Sequence, residues 1–182
     1  MSRISIPSVE QSVEASKPLL AAVKKQLGVV PNLMKLVGHS PAALEGYLSL
    51  NGALAKGKLD VQLREGIALA VAEFNGCDYC LSAHDYLARN VAKLSPGEID
   101  AARDAHSQNA QADAALRFAR RVAESHGRVS DTDLAALREA GFHEASVIEI
   151  VVTVALNVLT NYVNNVALTD IDFPLVTAKL AV

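Results

Sequence analysis

Helix punctuation recurs along the whole chain, while strand punctuation is nearly absent. Pro18 opens a helix at its first turn and Gly28 closes it. After Val30-Pro31-Asn32 comes a short segment, Leu33 to Val37. Ser40-Pro41 pairs a cap with a first-turn proline and starts a helix reaching toward Gly57. Asp60 caps a run from Val61 to about Asn75, which stops at Gly76. The next helix begins around Cys77 and continues through Arg89, and Ser95-Pro96-Gly97-Glu98 spells a capping box. Asp113 to Ser125 keeps a 3.6 period in Ala115, Phe118, Ala119 and Val122, and Gly127 ends it. Ser130 or Asp131 caps the helix carrying Leu134 and Leu137, with Gly141 past its end. From about Glu144 to Val166 the Val/Ile content suits a strand. An unbroken stretch of that length, free of Gly and Pro, predicts a helix instead. The tail D-I-D-F-P-L-V reads as an ordered extended arm, and no hairpin pattern occurs. The expected fold class is all-α, with residues 1–182 forming a single domain.

Composition narrows the function classes. Hydrophobic residues make up 51% of the 182 and mean hydropathy is +0.21, which excludes extended disorder. A formal net charge of −3 argues against bulk binding of nucleic acid or anionic membrane. Aromatics are 4% and Trp is absent, so the core is expected to be aliphatic, without stacking platforms for bases. The first residues have no apolar signal region, so a cytoplasmic protein is expected. Ala145 to Leu168 approaches the hydropathy of a membrane span, but Glu149, Asn157, Asn161, Asn164 and Asn165 interrupt it. It reads as a buried helix of a soluble protein. The apolar excess is more than a small monomer readily buries, so a symmetric homo-oligomer is expected.

A faint repeat runs at an offset of 84 residues. Asp60-V-Q-L-R-Glu65 parallels E-A-S-V-I-Glu149, and an aliphatic run follows each Glu. Twelve residues after Glu65 stands Cys77-x-x-Cys80, and twelve after Glu149 stands Asn161-x-x-Asn164. Two degenerate halves with the chemistry kept in the first, and chance similarity of two Ala/Val-rich helices, both fit this pattern.

The chemistry concentrates in residues 65–84. Both cysteines of the chain sit in one C-x-x-C, a spacing that suits redox or metal chemistry rather than a disulfide scaffold. Gly76 separates two helices, so the pair falls in the first turn of the second. Free N–H groups and the positive end of the dipole favour a thiolate there. Cys80 and His84 are one turn apart on one face, where imidazole can take or hold the thiol proton. If the two helices pack as a hairpin, the Glu65 carboxylate can approach His84 and set its tautomer. Three readings stay open: a redox pair cycling through sulfenic acid and disulfide, a partial zinc site using Cys77, Cys80, His84 and Glu65, and small core cysteines.

The spacing E-x(11)-C-x-x-C-x(3)-H, here Glu65, Cys77, Cys80 and His84, resembles the alkylhydroperoxidase-D family of the carboxymuconolactone decarboxylase superfamily. The flanks G-V-V-P-N-L, L-R-E-A-G-F and N-Y-V-N-N-V-A-L-T-D-I-D-F-P resemble its peroxidase-related branch, so the likeness extends from about Gly28 to Pro174. It implies an all-helical fold, trimers or hexamers, and thiol peroxidase activity; the enzyme is expected to act on hydrogen peroxide or organic hydroperoxides without a metal or organic cofactor. A thiol or dithiol would donate the electrons. It further implies Cys80 as the peroxidatic thiol, Cys77 as the resolving one, and Glu65 with His84 as the proton relay. Some members carry His where this chain has Tyr79, which leaves Tyr79 at most a hydrogen-bond donor. A disulfide oxidoreductase and a redox-sensing or metal-binding scaffold are the alternatives.

Other polar residues read as structural. His39, His106, His126 and His143 lie near helix ends, and Glu73 is expected to be solvated. Asn157, Asn161 and Asn164 form one stripe, expected to hydrogen-bond across a helix or subunit contact. Tyr47, Tyr79, Tyr86 and Tyr162 are candidates to line a pocket.

Overall fold

The computed structural model describes residues 1–179, and among them it contains nine α-helices and no strand. They are α1 (Lys17–Leu27), α2 (Asn32–Val37), α3 (Pro41–Leu54), α4 (Val61–Phe74), α5 (Asp78–Asn90), α6 (Pro96–Arg103), α7 (Ala110–Ser125), α8 (Asp131–Glu139) and α9 (Glu144–Ala167). The local caps set the boundaries. Side-chain oxygens of Ser40, Asp60, Ser95 and Ser130 each accept a backbone N–H three residues on, and Ser95 and Ser130 complete capping boxes. Each such cap is worth about 1 kcal/mol.

Two boundaries differ from the sequence expectation. Helix α7 starts at Ala110 rather than Asp113, because Asn109 caps it by accepting from Gln111 and Ala112. Helix α3 stops at Leu54, short of Gly57. There the chain turns against α9, and Glu149 Oε2 accepts the N–H groups of Lys58 at 2.6 Å and Leu59 at 3.2 Å. A Cβ at Gly57 would lie 2.5 Å from that carboxylate, so a side chain there would have to displace it.

Helix α4 is the core. Every residue from Gly66 to Glu73 is buried, and α5, α6, α7 and α9 all pack on it. A helix apolar on all sides is stable only when surrounded. Ile67, Leu69 and Val71 are fully buried, each contributing about 1.5–3 kcal/mol. At Gly76 the chain takes φ 59°, a left-handed turn that glycine adopts without strain, and α5 folds back along α4.

Helix α9 is half-buried, not fully buried as its hydropathy suggested. It has 24 residues, about 36 Å of helix. By length and composition it is apolar enough to cross a membrane. One face, with Ile150, Val154, Asn157, Asn161 and Asn164, packs into the protein. Ile148, Leu159, Tyr162 and Val166 on the other face are exposed. The 84-residue repeat shares spacing but not the helix break. Where Gly76 divides α4 from α5, α9 runs on through Thr160.

Glu73 also departs from expectation. It is buried, because Arg103 of α6 donates Nε–H to its Oε2 at 2.7 Å. The same guanidinium holds the carbonyl of Thr177 at 2.7 Å, and the N–H of Lys179 donates to Glu73 Oε1 at 2.5 Å. The C-terminal arm is thus pinned across α5. Val176 N–H donates to Ser82 Oγ at 2.9 Å, and Ala178 N–H to Asp78 Oδ1 at 2.8 Å.

Arg103→Ala would leave the Glu73 carboxylate buried without its cation. A loss of about 3–5 kcal/mol is expected, read as a lower urea midpoint, together with faster proteolysis of the arm. An unchanged midpoint would show that the pair carries no such weight.

Candidate functional site

The break at Gly76 makes Cys77 the N-cap of α5. Its backbone is extended (φ −96°, ψ 91°), and its Sγ accepts the N–H of Cys80 at 3.3 Å. A sulfur thus occupies the place where Ser or Asp usually satisfies the first-turn donors. Both thiols are free and buried, Cys77 at 0% and Cys80 at 2% exposure. Only Cys80 lines the adjacent cavity of about 610 Å³; Cys77 lies behind it.

Helix α5 folded on α4 brings His84 to Glu65, the approach that a hairpin would allow. His84 Nδ1–H donates to Glu65 Oε2 at 2.8 Å, and both line the cavity. No hydrogen bond joins His84 directly to Cys80 among the described residues. The two share one face of α5 and one cavity wall. Nor do His, Cys, Asp or Glu side chains gather there as a metal-ligand group among the described residues.

The electrostatics separate the two cysteines. Burial pushes the Cys80 thiol up. The hydrogen bond from Cys77, the His84 charge and the amides of Asn164 and Asn161 outweigh it, so the thiol falls below its ordinary range. Cys77 moves the opposite way: its hydrogen bond to Cys80 favours the protonated form, and burial and the Cys80 charge add to that. Burial works to lower the His84 pKa, but the Glu65 carboxylate and Cys80 raise it above the ordinary imidazole value. Burial, Cys80 and Glu65 push Tyr47 up to about 12, so its hydroxyl keeps its proton.

Tyr79, between the cysteines, donates a hydrogen bond, as the sequence allowed. Its hydroxyl donates to Asp172 Oδ1 at 2.8 Å and accepts the N–H of Leu33 at 3.0 Å. Phe173 stands edge-on to Tyr79, with centroids 5.8 Å apart. The C-terminal arm therefore supplies part of the cavity wall. Tyr47, Tyr79 and Tyr86 line the cavity, whereas Tyr162 is exposed on the outer face of α9. His39 meets the carbonyl of Ser5, His106 approaches Asp113, and His126 and His143 occupy cap positions, so none belongs to this site.

Of the asparagine stripe, Asn157 bonds within α9 to the Thr153 carbonyl and Asn161 pairs across to Asn75. Asn164 donates Nδ2–H to Cys80 Sγ at 3.2 Å, a contact with the site that its sequence position did not disclose. The one signal was its register: it stands 84 residues after Cys80 in the repeat.

The sign of the Glu65 effect is testable. Glu65→Gln removes the main influence that raises His84; burial is then opposed by Cys80 only, and the imidazole pKa falls. Less imidazolium remains to hold the Cys80 thiolate. The pH curve for iodoacetamide alkylation of Cys80 should move to higher pH. An unmoved curve would detach Glu65 from the thiol.

Comparison with known proteins supplies the wider context. Residues 41–125 match the carboxymuconolactone decarboxylase family. A Haemophilus influenzae protein is 43% identical over 63 residues, 34% of this chain; the match spans half the length of that relative. The crystal structure of an alkylhydroperoxidase AhpD core, a peroxidase-related protein from Ralstonia eutropha, superposes with a TM-score of 0.81 at 26% identity, covering 94% of this chain and 92% of the other. The debrominase Bmp8 in complex with 2,3,4-tribromopyrrole shares the fold with a TM-score of 0.74 at 22% identity, over 87% and 86% of the two chains. The family match and the fold agree: residues 41–125 are a carboxymuconolactone decarboxylase family domain, carried in a chain with an alkylhydroperoxidase-D-like fold.

Proposed function

We propose that the protein is a thiol-dependent peroxidase that reduces organic hydroperoxides through a Cys80–Cys77 sulfenic acid and disulfide cycle. The observation that carries this reading is the asymmetry of the pair. Cys80, with its lowered pKa, meets the cavity, and Cys77, with its raised pKa, waits behind it. In the first step the Cys80 thiolate attacks a peroxide oxygen, an S–O bond forms and the O–O bond breaks. His84, held by Glu65, delivers a proton so that the leaving group departs as an alcohol. In the second step Cys77, as its proton leaves, attacks Cys80 Sγ; the S–S bond forms and the sulfenic oxygen leaves as water. An external thiol or dithiol then reduces the disulfide. The sum is one hydroperoxide and two thiols converted to alcohol, water and a disulfide.

The cavity supports an organic substrate over hydrogen peroxide. At about 610 Å³ it is of ligand size. Leu33, Met34, Leu87, Leu156 and Phe173 give it apolar walls. The reducing cytoplasm is the compartment in which a thiol donor would serve this cycle. A trimer or hexamer is part of the same reading, with the outer face of α9 as the surface that association would cover. Sedimentation at micromolar concentration should give a species several times 19.3 kDa, and a stable monomer would remove this part.

A second reading has one observation in its favour, the likeness to the debrominase with its bound tribromopyrrole. There the same thiol pair would supply two electrons, replacing a C–Br bond by C–H, releasing bromide and leaving the disulfide.

The test is peroxide consumption with a dithiol donor. Cumene hydroperoxide should be used with a higher kcat/KM than hydrogen peroxide. Cys80→Ser should abolish turnover, and Cys77→Ser should give one turnover and a Cys80 sulfenic acid that dimedone labels. Turnover persisting in Cys80→Ser would overturn the assignment. Bromide release from a bromopyrrole, with no peroxide consumption, would select the second reading.

A further inference from the structure

We propose that Asn164 is a catalytic residue, whose side-chain amide, paired with that of Asn161 on α9, forms a non-titrating donor site that holds the Cys80 sulfur as an anion. The contact is direct: Asn164 Nδ2 lies 3.2 Å from Cys80 Sγ. Both amides are enclosed, Asn164 at 2% and Asn161 at 0% exposure. Asn161 does not point freely. Its Oδ1 accepts Asn75 Nδ2–H at 2.8 Å, and Asn75 is itself fixed by Asn165 Nδ2, which donates to its carbonyl at 2.9 Å. With the oxygen so engaged, the NH₂ group is directed elsewhere. Among the described residues it is buried with no acceptor.

A buried donor without an acceptor is costly and rare, and it is explained when an anion forms beside it. A neutral thiol is a weak acceptor, whereas a thiolate is a strong one, and hydrogen bonds to an ionised partner are roughly twice as strong as neutral ones. The two amides therefore favour Cys80 as thiolate over Cys80 as thiol. They also contribute to its lowered pKa.

Their place in the fold differs from that of the titratable groups around the sulfur. Helix α5 brings Cys77, Asp78 and His84, α4 brings Glu65, α3 brings Tyr47, and Tyr79 with Asp172 closes the side toward the arm. All of these titrate. The amides come from α9 and do not, so they hold the anion unchanged over the pH range in which His84 loses its charge. The register of the repeat acquires a physical meaning here, because Asn161-x-x-Asn164 sits against the C-x-x-C turn that it parallels in sequence.

The inference deepens the peroxidase reading, but its first measurement does not depend on it. The pH midpoint of Cys80 alkylation by iodoacetamide, with Cys80 resolved from Cys77 by peptide mass spectrometry, is compared for wild type, Asn164→Leu, Asn161→Leu and Asn164→Asp. Folding is checked by far-UV circular dichroism. Asn164→Leu keeps the size of the side chain and removes the donor. It should raise the midpoint by about one to two pH units, the worth of a hydrogen bond to a charged group. Asn161→Leu should raise it by less. Asn164→Asp keeps the shape and places a carboxylate against the sulfur, so it should raise the midpoint most and serves if the Leu variant does not fold. The second-order rate with cumene hydroperoxide at a fixed neutral pH should fall in step with the thiolate fraction. A midpoint unchanged or lowered in a folded Asn164 variant would overturn the proposal. A raised midpoint in a protein that consumes no peroxide would uphold the amide site and overturn only the peroxidase reading.

Discussion

The site depends on one backbone event, the left-handed turn at Gly76. It ends α4 and returns the chain as α5 against the same core helix. Three consequences follow from that reversal. Cys77 becomes the N-cap of α5, so its sulfur receives the Cys80 N–H. The first turn of α5 is buried, with its positive dipole end beneath the thiols. His84, two turns along, comes level with Glu65. A straight continuation of α4 would separate Glu65 from His84 by 19 residues, about 28 Å of helix, and no contact between them would exist.

Burial at this position opposes an ionised sulfur, and the packing of several elements reverses that tendency. Each opposing contribution arrives from a different part of the fold: Cys77 from the same turn, the His84 charge from the same face, and the amides from α9. Among the described residues, the C-terminal arm makes no hydrogen bond to the sulfur. It fixes Tyr79 through Asp172 and supplies Phe173 to the cavity wall. The arm in turn is anchored by the buried Glu73–Arg103 pair. Several buried polar groups thus hold the walls of the site, while the core around Ile67, Leu69 and Val71 is apolar and mainly aliphatic, with Phe118 and Phe142 among it. Helix α9 joins the two regions. Its inner polar stripe serves the site, and its outer apolar face is left for solvent or a partner.

Most of the fold was legible because helix starts and stops are local. Ser40, Asp60, Ser95 and Ser130 each bond a backbone group three residues away. Where a boundary was missed, the cause was either a cap passed over, Asn109, or a distant contact, Glu149 against the turn after α3. The candidate site was legible to the extent that it lies on one helix: C-x-x-C and His84 follow from the 3.6 period alone. Glu65 could be named because a helix hairpin about Gly76 would let it approach His84 and because it opens the E-x(11)-C-x-x-C-x(3)-H spacing.

The sequence by itself determined the all-helical class, the caps and the clustering of Cys77, Cys80 and His84, since all of these rest on interactions within a few residues along the chain. Tertiary structure alone decided which cysteine meets the cavity, that Glu73 is buried by Arg103 30 residues away, and that Asn164 reaches Cys80 across 84 residues. The physical reason is that burial and long-range hydrogen bonds depend on how helices pack. The same Glu or Asn on a helix surface is solvated or site-forming according to which neighbour covers it, and no local pattern records that neighbour.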